Sequence, residues 1–477
     1  MTMTSGTKKV AVVGGGVSGL ASAYYIRKAA LDQGRQLQVD VFERENRPGG
    51  KFDACRESGY IIEAGPNGFL DSKPWTLDLV RDLKMEDRLL PSDQAAARRF
   101  IYSRGRLHEL KSSILYFFLH GPMSVGGRLR IIGEPWASPT PPGEDTTLAE
   151  FGRRRMGQEA VDRLLDPMVS GIFAGDPSQM SLRASFPRIS ELEENYGSLT
   201  KAMFSIAWEK RKAKKRGEEV GVSSGPSGPG GVLTTFKRGV TELTDRLAKE
   251  LGERFHTDEE VNLIQRDGDG WKVVSGRGEY RADAVVLATP SDVSAAILMD
   301  AAPESAVILE KIPYSPMAVV GLGYDLSDLE TPPDGFGYLI PSVEQKKLLG
   351  ALWDSSIFPG FRSGQDHFLI RAMVGGARDH ETPFLPDDDL LKLVLKELYQ
   401  TMGLTALPSF TTIVRWEKAI PLYTVGHLDR VVEAEAKLPE KVLITGNAYR
   451  GVGINDCVRE AEKAAQKVVE VLYWQNQ

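Results

Sequence analysis

The spacing of hydrophobic and polar positions changes several times along the chain, and each change predicts an element. Lys9–Val13 is an uninterrupted β-branched run, the pattern of a parallel strand buried on both faces. Gly14-Gly15-Gly16 breaks it, Ser18–Ala30 reads as a helix rich in Ala, Leu, Tyr and Ile, and Gln38–Glu43 (QVDVFE) reads as a second strand. That order predicts a βαβ unit. A short helix is expected over Leu77–Leu83, with a boundary near Pro91. Residues 148–215 carry apolar positions at helical intervals, as in Ala160–Val169 and Leu199–Trp208. Val261–Gln265, Trp271–Ser275 and Ala284–Ala288 read as strands, the first two joined by a turn at Asp267–Gly270. The runs AVVGLGY, GFGYLIP and FLIRAMV predict a second sheet, and VLITGNAYRGVGINDC predicts strand, glycine-rich turn and helix from about Asn455. No repeat of solenoid length recurs.

At 477 residues the chain is long enough for roughly three compact units. With 42% hydrophobic and 26% charged residues it is neither fibrous, disordered nor disulfide-scaffolded. Cys55 and Cys457 are the only cysteines, which excludes a thiolate metal site or a CxxC centre and favours a reducing cytosol. The apolar stretch after Lys8-Lys9 is interrupted by glycines and reads as part of the fold. Ile114–Leu119 (ILYFFL) is too short to span a bilayer but long enough to dip into one. Net charge is −6, yet Arg98–Arg216 holds 20 Lys/Arg against 13 Asp/Glu, leaving +7 there and −13 elsewhere. A basic middle on an acidic chain suggests an anionic partner, such as a lipid surface, nucleic acid or carboxylated substrate.

The chemistry concentrates in glycine-rich turns. Gly14-x-Gly16-x-x-Gly19 follows a strand and opens a helix, where free N–H groups and the dipole favour a pyrophosphate. Glu43 closes the second strand 24 residues after Gly19, in place to accept hydrogen bonds from a ribose diol. Arg47-Pro48-Gly49-Gly50-Lys51 adds a glycine pair and a cation, and Glu63-Ala64-Gly65-Pro66-Asn67-Gly68 a tight turn suited to passing a flat ring. Gly446–Ile454 opens a second helix N-terminus. The six histidines are scattered without ligand spacing, and none is assigned chemistry or a metal.

The segments VAVVGGGVSGLA, EAGPNGFL, RRFIYSRGRLHEL, LLDPMVSGIFAGDPSQ, DGFGYLIP and GNAYRGVGINDC together resemble the protoporphyrinogen oxidases, within the amine-oxidase-type flavoproteins, from about Val10 to Cys457. The pieces GxFAGD and YxGVGxND are the most discriminating. The resemblance implies an α/β plus α+β architecture, amine-oxidase/p-hydroxybenzoate-hydroxylase-like. Its parts are a doubly wound, Rossmann-like FAD-binding domain starting βαβ (8–90, 232–300 and 440–477), a mainly helical membrane-docking subdomain (91–216), a flexible loop (217–231) and a mixed-sheet substrate domain (301–439). FAD is expected to be non-covalent, held by Gly14, Gly15, Gly16, Val17, Ser18, Gly19, Glu43, Arg44, Gly50, Lys51, Gly65, Pro66, Asn67, Gly68, Val261, Trp416, Asn447, Val452, Gly453 and Ile454. Substrate is expected against Arg99, Asn67, Phe336, Gly337, Leu339 and Met373, with Arg99 pairing a propionate.

The implied reaction is hydride removal from the methylene bridges of protoporphyrinogen IX, six electrons in all, with dioxygen as acceptor and hydrogen peroxide as product. Flavin does this chemistry, so no catalytic side chain is assigned. Coproporphyrinogen III is the alternative substrate; Asn67 and Asn455 lean towards protoporphyrinogen, because Asp and Pro are expected at the matching places in the other group. An amine oxidase or desaturase, and a non-catalytic binder on the same fold, are further alternatives. Ile114–Leu119, Arg153-Arg154-Arg155 and Lys210–Arg216 are expected to dock on a membrane, placing the protein in the cytoplasm against the inner face of the cell membrane. Ferrochelatase is a candidate partner, nucleic acid is not expected, and monomer and homodimer both stay open.

Overall fold

The computed structural model describes residues 7–111, 113–141, 143–216 and 231–473. The loop expected over 217–231 lies, apart from Gly231, outside the described residues. β1 (Lys8–Val13), α1 (Val17–Asp32) and β2 (Leu37–Phe42) form the expected βαβ unit. β1 sits at the centre of a five-stranded sheet, in the order Phe255–His256, β2, β1, Ala284–Leu287, Val442–Ile444, paired in parallel throughout. Both faces are covered, which is why β1 is apolar at every central position. Val10 and Val12 enter a core with α1 and the closing helix Ile454–Tyr473, whereas Ala11 and Val13 enter one with the opposite layer. That opposite layer is an antiparallel sheet, Val261–Asp267, Gly270–Ser275 and Glu279–Ala282, with helices Ser291–Leu298 and Pro303–Glu310. Glu279–Ala282 was not expected as a strand, being too polar to stand out from a turn.

A seven-stranded mixed sheet forms the second body of the molecule. Its order is Phe410–Pro421, Tyr314–Asp325, His367–Gly375, Leu348–Leu352, Gly337–Leu339, Arg99–Ser103, Arg106–Glu109. The two halves of its strand alternation have different fates. Ala318, Val320, Leu322, Tyr338, Ala372 and Val374 point back into a core with helix Asp387–Met402. The intervening residues point the other way, towards the first body. The hairpin Arg99–Glu109 is part of this sheet although it falls in the stretch expected to be mainly helical, because Arg99–Ile101 pairs in parallel with Gly337–Leu339.

Helices Ile114–His120, Val125–Ile131, Leu148–Met156, Asp166–Phe173, Pro187–Tyr196 and Leu199–Lys215 make the remaining unit, with a π-helical turn at Val161–Leu165. Here the expected basic docking run needs correction. Arg155 is fully buried, its Nε donating to Glu193 Oε1 at 2.7 Å and its Nη1 to Glu134 Oε1 at 3.2 Å. Arg154 also donates to Glu193, at 3.1 Å. A guanidinium out of water requires such partners, so these two hold helices together instead of facing a membrane. Glu134 in turn accepts from the Leu199 and Thr200 N–H groups at 2.9 and 3.0 Å, capping helix Leu199–Lys215 from another segment.

Candidate active site

Four turns meet at the C-terminal end of the parallel strands, the usual ligand position in such sheets. The Gly14–Gly19 turn is closed by van der Waals contact: a Cβ on Gly19 would stand 1.9 Å from Gly14 O. Gly49 N–H donates to Gly15 O at 2.8 Å, bringing the Arg47–Lys51 turn alongside. The Glu63–Gly68 turn packs on that one, with the place of a Gly65 Cβ only 2.0 Å from Lys51 O. The C-terminal turn closes the ring, since Ser18 Oγ lies 3.8 Å from where a Gly446 Cβ would be. Residues more than 400 positions apart thus form one cradle.

Helix α1 has no side-chain cap and no acidic residue in its first turn, so its leading N–H groups stay available to an anion. Glu43, just past β2 and 7% exposed, accepts from Gly15 N–H through Oε2 at 2.6 Å and from Glu45 N–H through Oε1 at 2.9 Å. The backbone of Glu43 accepts from Glu259 N–H at 2.8 Å, which draws the segment entering Val261 to the same end. Val17 and Ser18 are buried at the start of α1, and Gly50 and Pro66 line their turns half-buried. Lys51 donates to the carbonyls of Lys418 and Ala419, and burial pushes its ammonium pKa down to about 8. Asn67 leaves Oδ1 buried without a partner among the described residues, available to a ligand donor. Asn447 accepts through its carbonyl from Tyr423 OH at 2.5 Å, Val452 is half-buried, and Gly453 is exposed at the mouth of the closing helix. This bare helix end, placed carboxylate and glycine-walled cradle fit a dinucleotide. Two expected residues contribute differently. Arg44 points to solvent and pairs with Glu45 at 3.2 Å, and the Ile454 side chain belongs to the hydrophobic core.

In front of the cradle stands the forward face of the seven-stranded sheet. Register places Leu339, Gly350 and Met373 side by side on three strands, and Arg99, Gly337, Leu352 and Arg371 in the next row. Trp416 lies opposite Met317, itself opposite Gly375. Met373 and Trp416 pack into one apolar patch with Ala174 and Ala419, and the Trp416 indole donates to Ala64 O at 2.8 Å. A Cβ on Gly350, between Leu339 and Met373, would stand 2.3 Å from Tyr338 O, so the close approach of the neighbouring strand requires glycine there. Arg99 lies at the rim, its guanidinium 4.9 Å above the Phe336 ring. Among the described residues it has no carboxylate partner, whereas Arg98 beside it pairs with Glu109 and Asp334 at 3.3 and 2.5 Å.

Sequence reasoning missed three contributors. Arg371 and Asp354 form a buried pair at 2.9 Å beneath the Glu63–Gly68 turn, and His427 donates to Tyr449 O at 3.0 Å behind the C-terminal turn. An arginine inside the apolar run FLIRAMV was the available signal for the first. Burial of His427 pushes its pKa down to about 4. Among the described residues no cluster could hold a metal ion.

The family described as flavin containing amine oxidoreductase matches residues 17–469. The chain is 28% identical to the coproporphyrinogen III oxidase of Bacillus subtilis, over 99% of this chain and 100% of that one. It is 30% identical to protoporphyrinogen oxidase 2, chloroplastic/mitochondrial, of Arabidopsis thaliana, over 98% of this chain and 94% of that one. A crystal structure from Exiguobacterium sp. 255-15, named "Putative protoporphyrinogen oxidase", superimposes with a TM-score of 0.81 at 26% identity, covering 97% of this chain and 98% of that one.

Proposed function

The chain belongs to the flavin containing amine oxidoreductases, with FAD as its cofactor, and on that premise we propose that it oxidises protoporphyrinogen IX to protoporphyrin IX with dioxygen as acceptor. Arg99 carries this reading: a guanidinium without a carboxylate among the described residues, stacked on Phe336 at the edge of an apolar face. A propionate is its natural partner, through a charge-assisted pair. Leu339, Met373 and Trp416 would support the flat macrocycle. Bound FAD supplies the hydride acceptor and the reduction of dioxygen to hydrogen peroxide. The pyrrole nitrogens of the substrate stabilise the cation left by hydride loss, so the chain's task is placement more than proton transfer. The Glu43 carboxylate and the first turn of α1 would hold the adenosine and pyrophosphate ends, and Lys51 would bring a cation to the cradle.

Similarity to the Bacillus subtilis enzyme supports coproporphyrinogen III as the second reading. Of the Arg98-Arg99 pair, one guanidinium is free of carboxylates among the described residues, which favours the substrate with fewer carboxylates. Aerobic turnover of both porphyrinogens, followed by porphyrin fluorescence, tests this. A larger kcat/KM for protoporphyrinogen IX is expected; a larger one for coproporphyrinogen III selects the alternative, and turnover of neither ends the proposal.

Contact with a membrane surface is part of the same reading. No helix among the described residues is long and apolar enough to cross a bilayer. Exposed apolar side chains gather on the helical unit instead, including Leu115, Leu119, Trp136 (80% exposed), Phe204 (73%) and Trp208. Cosedimentation with anionic vesicles, lost in Phe204→Ser/Trp208→Ser, is the expected result.

A further inference from the structure

We infer that Arg371 is a positioning residue for the flavin, acting through the backbone of the Glu63–Gly68 turn; this rests on the reading above that the turn lies against the cofactor. The guanidinium is almost fully buried, on a strand that is otherwise apolar beyond its first residue His367, where a charge is costly unless its donors are satisfied. Its Nε and Nη2 donate to Asp354 Oδ2 and Oδ1 at 2.9 and 3.2 Å. Its Nη1 donates to Glu63 O at 2.6 Å and Gly65 O at 3.3 Å. The carbonyl between these, Ala64 O, takes the Trp416 indole N–H at 2.8 Å. Side chains of one sheet therefore hold three successive carbonyls of the turn.

The geometry has a direct consequence for the ligand side. A trans peptide is planar, with C=O and N–H pointing oppositely, so holding a carbonyl fixes the orientation of the amide that follows. At Gly65 the backbone would otherwise have wide freedom to rotate. Asp354 extends the clamp to the end of the turn by accepting from Asn67 Nδ2 at 3.4 Å. Met373 lies two residues beyond Arg371 and faces the same way, so the strand that would line the substrate slot also sets the cofactor turn. Neutralising Asp354 alone would not require donors aimed at Glu63 O and Gly65 O.

The test compares the full-length parent, Arg371→Lys, and the double variant Arg371→Gln/Asp354→Asn. The double variant removes both charges together, so neither is left buried and unpaired. FAD content, FAD affinity after deflavination and the visible flavin absorption envelope are measured. The double variant should bind FAD about 10-fold more weakly, with broader, water-like flavin bands, and Arg371→Lys should recover part of both. Affinity and bands within twofold and unshifted in the double variant overturn the clamp. Should that variant fail to fold, Arg371→Lys decides: a shifted flavin band with preserved thermal unfolding supports the clamp, and an unshifted band overturns it. These readouts use no porphyrinogen. A parent that binds FAD but oxidises neither porphyrinogen overturns only the substrate reading, whereas a parent without affinity for FAD overturns both.

Discussion

Around Gly14–Gly19 the contacts are made mostly by backbone: Gly49 N–H to Gly15 O, Gly15 N–H to the Glu43 carboxylate, and glycines spaced so closely that a methyl at Gly19 would overlap Gly14 O. On the sheet face the contacts are made by side chains, with Arg99 on Phe336 and Met373 beside Trp416. A backbone-built site has no slack, because added atoms meet main chain that other bonds hold in place. A side-chain-built site loses function in steps, one group at a time. The cradle should therefore fail abruptly and without regard to substrate, and the slot gradually and with substrate dependence.

Gly19→Ala tests the abrupt limit, since its Cβ would have to displace a carbonyl 1.9 Å away. Complete loss of bound flavin is expected, read as absorbance near the flavin bands per chain; a yellow, fully loaded variant would break the contrast. Next in size is an effect behind the cradle. His427 is buried with a pKa of about 4, so the unfolded chain takes up its proton below about pH 6.5 while the folded chain does not until near 4. The stability it contributes is present above that range and lost as pH falls through it, by about 3 kcal/mol. His427→Gln retains a donor for Tyr449 O without titrating, so its thermal midpoint should fall less between pH 7 and 4.5 than the parent's.

Arg99→Ala addresses the slot. Loss of one charge-assisted pair should raise KM for the porphyrinogen about 10- to 100-fold while flavin content and kcat change little. Equal losses in flavin content and KM would mean that slot and cradle are not separate. The smallest effect is expected from Phe336→Leu, which retains an apolar face but removes the ring beneath Arg99. A two- to fivefold rise in KM corresponds to the roughly 0.5–1 kcal/mol of an exposed cation–π contact.

The two regions were also unequally legible in the chain. Glycine spacing, the run Lys9–Val13 and the acid at Glu43 are local features, and each reappears in the structure at its expected place. The sheet face offers only candidate residues in the sequence, and Arg371, which bonds Asp354, Glu63 O and Gly65 O, sits inside an apolar run that gives no sign of those partners. Likewise Arg153-Arg154-Arg155 read as a surface charge run, whereas two of the three are committed to Glu193 and Glu134. Local composition does not reveal which buried partner a charge will meet.

By itself the amino-acid order determined the βαβ start, the places where backbone turns sharply, and the apolar strands, because these depend on the period of hydrophobic positions and on where a side chain is missing. Tertiary structure alone decided which half of each strand in the second sheet faces the glycine turns. A shift of one residue in pairing would have sent Arg99, Leu339 and Met373 to the back and Tyr338 and Ala372 to the front. It also decided that Arg98 is neutralised while Arg99 meets no carboxylate among the described residues, since Asp334 and Glu109 reach one neighbour and not the other. Partners drawn from distant segments become neighbours only once the sheet has closed, and no window of sequence contains them together.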